Sequence, residues 1–234
     1  MSGFALLRNA DPDAVASSAA SLLGELLASS LAERGRVHFA ISGGTTPAGA
    51  YRALSLPSWE GVEVWFADER CVGPSDPESN YLMAEQTLLG HAPGALVHRI
   101  EGELGAERAA ASYGVLLRER VGAGVPVLDV VVLGIGEDGH TASLFPGFPQ
   151  LRAPAGSLCL PVHDSPKPPP DRVTLSLELL NAARTTVLLA TGAGKADALA
   201  HALGAADEKV PASLLERSRL TVIADAAALA RAGA

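Results

Sequence analysis

Apolar positions along the chain follow two periodicities. Between residues 11 and 34, leucines recur at helical spacing (Leu22, Leu23, Leu26, Leu27 and Leu31), which predicts a helix there. Asp11 can accept bonds from the free amides at its start, Pro12 suits the first turn, and Gly35 suits the left-handed stop. Short apolar runs then predict strands at 37–41, 62–66, 127–135, 173–177, 186–190 and 220–224. Between them, helical spacing covers 47–55, 78–89, 105–120, 193–203 and 224–232. Strands alternating with helices imply an α/β fold with a largely parallel sheet covered on both faces. In such sheets ligands bind at the carboxyl ends of strands, so polar clusters just after strands become the candidates for chemistry.

The chain shows no internal repeat. Its one biased segment, SPKPPPD from Ser165 to Asp171, reads as an extended loop. Too little sequence follows it to form a second core, so a single domain over 1–234 is expected. Hydrophobic residues make up 48% but aromatics only 4%, which predicts a core mainly of Leu, Val and Ala. A chain of this length can bury such a core without disulfides or metals. No run of about 20 apolar residues is uninterrupted, so no membrane span is expected. The N-terminal MSGFALLRNADPD meets polar residues too early for a secretory signal, and a cytoplasmic location is expected.

Charge narrows the partners. The formal net charge is -8, with no basic run, which argues against nucleic acid. An acidic protein still binds an anion where a few cations converge, and the lysines are only Lys167, Lys195 and Lys209. Cys71 and Cys159 form no CxxC pair and read as free thiols in a reducing cytoplasm. The place of Cys71 beside a polar cluster leaves a nucleophile role open.

Three segments can carry chemistry. SGGTTP (Ser42 to Pro47) lies between a strand and a helix, where glycines allow close approach and free amides favour an anion. It fits a phosphate cradle and a simple capped turn equally, and matches neither common nucleotide-binding glycine motif. Asp68, Glu69 and Arg70 end another strand; they can handle protons or form a surface ion cluster. GIGEDGHTASLFPG follows the most apolar run, LDVVVLGI. It places His140 two residues after Asp138 at an expected helix start, making it the best general-base candidate of six histidines. The others, His38, His91, His98, His163 and His201, show no metal-binding spacing, so no metal site is indicated. Arg172 and Lys195 complete the candidates, as anion partners or as solvated charges.

Taken together, SGGTTP, the DER…SNY segment, GIGEDGHTASLFPG, DRVTLS, TGAGKADAL and LTVIAD resemble the 6-phosphogluconolactonases. They resemble them in order across residues 42 to 225, within the wider group that includes glucosamine-6-phosphate deaminases. The resemblance implies a Rossmann-like three-layer α/β/α fold. It implies hydrolysis of a phosphosugar lactone, 6-phospho-D-glucono-1,5-lactone, in the oxidative pentose phosphate pathway, with no cofactor. By position, His140 would be the general base. Ser42, Gly43, Gly44 and Thr45 would cradle the phosphate, with Arg172 and Lys195 as cationic partners. Asp68 and Arg70 would line the reacting end of the sugar. The deaminase relatives typically carry glutamate where this chain has Phe145, and tyrosine where it has Arg70. A third alternative is a sugar-phosphate-binding module without catalysis. Monomer and small homo-oligomer are both compatible with the sequence.

Overall fold

The computed structural model describes residues 3–232. In chain order the elements are β1 (Ala5–Asn9), α1 (Pro12–Arg34), β2 (Val37–Ile41), α2 (Thr45–Ala53), β3 (Val62–Phe66) and β4 (Asp68–Arg70). There follow α3 (Asn80–Thr87), β5 (Leu96–Val97), α4 (Ala106–Arg120), β6 (Val130–Gly134), β7 (Cys159–Val162) and β8 (Arg172–Leu175). The chain continues with α5 (Leu177–Ala182), β9 (Thr185–Ala190), α6 (Ala196–Leu203) and β10 (Leu220–Asp225).

Seven strands form one wholly parallel sheet in the order β1-β10-β9-β6-β2-β3-β5, flanked by helices in a three-layer α/β/α arrangement. Strand order reverses between β6 and β2, and this switch point is where a parallel sheet opens a crevice at its carboxyl edge. The loops carrying Ser42 and His140 leave those two neighbouring strands.

Helix α1 forms as its pattern predicts. The Asp11 side chain accepts from the amide of Ala14 at 2.8 Å, and Gly35 closes the end at φ 69°. By length and composition α1 is apolar enough to cross a membrane, but Val15, Ala19, Leu23 and Leu27 are fully buried in the core. The core is built largely from Leu, Val and Ala, yet its largest fully buried side chains are Trp65, Tyr51, Phe39, Phe66 and Phe145.

Several expectations need correction. The 173–177 run does not join the parallel sheet. It forms β8, the centre of a separate antiparallel sheet in the order β4-β8-β7. Strands β1, β4, β5 and β7 escape the apolar pattern; β4 is polar and β5 is two exposed residues. Residues 226–232 form only isolated turns, not a helix. There Asp225 spends its carboxylate on the amides of Gly192 and Ala228. His140 does not start a helix either. Residues 136–144 form an irregular loop with Gly139 at φ 83° and Ala142 at φ 48°, conformations no α-helix admits.

Candidate active site

A cavity of about 270 Å³ lies at the switch point, and all nine candidate residues line it. They are Ser42, Gly43, Gly44, Thr45, Asp68, Arg70, His140, Arg172 and Lys195. Asn80 and Lys167 line it as well, without having been singled out from the sequence. Residues separated by up to 153 positions meet because β2, β6 and β9 end side by side while the β4–β8 pair closes one flank.

The β2 loop is rigidly held. Tyr51, fully buried, accepts from the Ser42 amide and donates to the Ser42 carbonyl, both at 3.1 Å. Burial raises the Tyr51 pKa, so its hydroxyl stays protonated and can donate. Ser42 Oγ is itself buried with no hydrogen-bond partner among the described residues. A buried hydroxyl left unpaired costs about 1–3 kcal/mol, which a ligand acceptor can offset. A Cβ on Gly43 would stand 1.9 Å from Asn80 Oδ1 and 2.7 Å from its Cγ, so any side chain there must displace Asn80.

The flank is set by strand pairing. Arg70 and Arg172 are cross-strand partners, as are Asp68 and Thr174. Asp68 is buried and accepts from Ser143 Oγ at 2.6 Å and from Asn80 Nδ2 at 3.2 Å. It makes no ion pair with Arg70 among the described residues. Arg70 donates to the Glu78 carbonyl through Nη1, and its Nε is buried with no hydrogen-bond partner among the described residues. Glu69 lies apart from the cavity. It accepts from the amides of Arg70, Asn80 and Tyr81 and from Ser79 Oγ, so it anchors the start of α3.

His140 is oriented by its neighbour. Nδ1 lies 2.5 Å from Asp138 Oδ1, and the ring packs against Phe145, tilted by 41° with centroids 4.6 Å apart. Burial pushes the Asp138 pKa up, but the hydrogen bonds and charge of His140 outweigh it and hold the carboxyl at about 2. An ionised Asp138 accepts from Nδ1–H, which leaves Nε2 as the unprotonated nitrogen of the neutral ring. Phe145 is fully buried, so no carboxylate occupies that position beneath the imidazole.

The cations differ in their commitments. Lys195 is half-buried; burial lowers its pKa, opposed by Glu137 and reinforced by the charge of Lys167. Arg172 is almost fully buried, and its guanidinium donates mainly to backbone carbonyls of the proline loop. Burial and then the nearby Asp171 raise the Cys71 thiol pKa to about 11, which disfavours the thiolate at neutral pH.

A doubly wound sheet with an imidazole–carboxylate pair facing a cationic cavity defines the class: an α/β protein with a site at the sheet's switch point. The family model described as glucosamine-6-phosphate isomerases/6-phosphogluconolactonase matches residues 10–224, and the chain belongs to that family. It is similar to a 6-phosphogluconolactonase of Bos taurus, 40% identical over 222 residues, covering 88% of this chain and 84% of the relative. A 6-phosphogluconolactonase of Streptomyces coelicolor is 36% identical over 242 residues, covering 95% and 92%. Among solved structures, a 6-phosphogluconolactonase from Shewanella baltica superposes with a TM-score of 0.85 at 28% identity, covering 95% of this chain and 98% of that one.

Proposed function

We propose that the protein hydrolyses 6-phospho-D-glucono-1,5-lactone to 6-phospho-D-gluconate, the second step of the oxidative pentose phosphate pathway. The observation that carries this reading is the convergence of His140, paired to Asp138, with the Ser42 loop and Lys195 in one cavity. Similarity to relatives named for this activity supports it.

In this reading Ser42, Gly43, Gly44, Thr45 and Lys195 hold the phosphoryl group, and the buried charge of Arg172 adds to the field. Binding energy gained there positions the lactone carbonyl and lowers the entropic barrier. His140 Nε2 takes a proton from water as the oxygen adds to C1. Arg70 Nε, already desolvated and unpartnered, donates to the oxyanion that forms. Collapse breaks the bond from C1 to the ring oxygen, and the imidazolium returns its proton to that oxygen. The carboxylic acid released then ionises. Asp68, fixed by Ser143 and Asn80, offers an acceptor for a sugar hydroxyl. Nothing in this sequence of steps calls for a cofactor.

The reading takes the chain as one domain, supported by its continuous buried core. It places the enzyme in the cytoplasm, which suits two free cysteines. A pH-stat or coupled assay with freshly prepared lactone, corrected for spontaneous ring opening, tests it. Acceleration over the blank is expected. A rate equal to the blank, or ammonia release from glucosamine 6-phosphate instead, contradicts it.

A further inference from the structure

Two of the chain's lysines, Lys167 and Lys195, line the same cavity. Neither belongs to the ion-paired cations of the described residues, which are arginines and histidines. Lys167 comes from the proline segment. Prolines at 168, 169 and 170 supply no amide donors, so this stretch cannot be held by strand pairing.

It is held by Arg172 instead. Arg172 Nε donates to the Pro169 carbonyl at 3.1 Å, while Nη2 donates to the carbonyls of Lys167 at 2.9 Å and Pro168 at 3.0 Å. Nη1 reaches only Ser143 Oγ, at 3.5 Å. The guanidinium also lies over the Phe145 ring, 5.5 Å from its centroid. Ser165 completes the hold: its Oγ donates to the Lys167 carbonyl at 2.9 Å and accepts from the Lys167 amide at 3.3 Å. A planar fork of donors can satisfy several carbonyls at once; an ammonium at the same place cannot match that geometry. Most of Arg172's donors are therefore spent within the protein, whereas the Lys167 side chain reaches the cavity backed by a fixed backbone.

We propose that Lys167 is a second phosphoryl-binding cation beside Lys195, and that Arg172 is the positioning residue that presents it. The proposal rests on the lactonase reading. Two ammoniums on one dianion explain why like charges share a pocket of an otherwise acidic protein. The lowering of the Lys195 pKa by Lys167 is consistent with that proximity.

The test is steady-state kinetics with the phosphorylated lactone, beside calorimetric binding of 6-phosphogluconate and gluconate. Lys167→Ala should raise KM roughly 10-fold, as expected for one charge-assisted bond, with kcat changed by less than about 2-fold. It should also lower the preference for 6-phosphogluconate over gluconate by a similar factor of roughly 10. Arg172→Lys should raise KM similarly. The double variant should be within about 2-fold of Lys167→Ala alone, because Arg172 acts through Lys167. An unchanged KM in Lys167→Ala overturns the phosphoryl assignment, and effects of the two changes that multiply overturn the positioning role. If Arg172→Lys is insoluble, Ser165→Ala tests the same presentation: a raised KM with kcat retained supports it, and an unchanged KM overturns it. Wild-type protein that binds 6-phosphogluconate through Lys167 without hydrolysing the lactone would sink the lactonase reading alone.

Discussion

Gly136 lies directly against the His140 imidazole: a Cβ built on Gly136 would stand 2.1 Å from Nδ1, 2.2 Å from Cε1 and 2.5 Å from Asp138 Oδ1. The glycine that follows β6 thus leaves the space in which the imidazole–carboxylate pair forms. Gly136→Ala should push the ring off Asp138 and reproduce most of the loss of a His140 deletion while keeping the histidine. A fall in kcat of roughly 10²-fold is expected, the lower range for a displaced general base. Kinetics with a nearly unchanged circular-dichroism spectrum would support this, and full activity would show that the pair tolerates a methyl group.

Asp138 fixes the tautomer of His140. Asp138→Asn should lower kcat by about 10²-fold or more, as in other carboxylate–imidazole pairs, with KM little altered. Its carboxyl pKa is held at about 2 in the folded state, below the ordinary aspartate value of 3.8. A depressed carboxylate pKa adds stability above the unfolded value, and that contribution disappears as pH falls through the folded value. Wild type should therefore lose stability between about pH 4 and 2 more steeply than Asp138→Asn. Parallel acid-unfolding curves would show that the pair contributes nothing.

Glu69 illustrates how position separates structure from chemistry within one triplet. Its neighbours Asp68 and Arg70 face the cavity, while Glu69 takes three backbone amides and a hydroxyl. Burial raises its pKa, against the hydrogen bonds that favour the charged form. Glu69→Ala leaves buried donors unpaired and should destabilise the fold by about 3 kcal/mol or more. Urea unfolding measures this, and a loss below about 1 kcal/mol would mean that water replaces the carboxylate.

Asn80 ties the Ser42 loop to Asp68. Its side chain donates to Asp68 at the carbonyl (2.8 Å) and the carboxylate (3.2 Å), and packs where Gly43 has no side chain. Asn80→Ala should free Asp68 and lower kcat/KM by roughly 10-fold, the worth of about one hydrogen bond to a charged group. Unchanged kcat/KM would remove Asp68 orientation from the account.

Much of this was legible in the sequence, for identifiable reasons. Buried parallel strands such as β6 are continuous apolar runs, and the Asp11 and Gly35 caps of α1 are local chemistry. Strand β4 was not legible, because its polar residues are paired by β8 more than 100 positions later. The helix expected at His140 is absent because glycines and a left-handed alanine shape a loop. The nine candidates that meet in one cavity were picked out from glycine-rich turns after strands together with the family resemblance. Asn80 and Lys167 were not, since Asn80 meets the cavity through its bonds to Asp68 and Lys167 through a proline loop whose path no periodicity gives.

The most direct test of the central claim compares wild type with His140→Ala on freshly made 6-phosphogluconolactone, with spontaneous opening subtracted. Wild type should accelerate ring opening, and His140→Ala should lower kcat by roughly 10²- to 10⁴-fold with KM largely kept. An unchanged kcat in a folded His140→Ala protein would contradict the account.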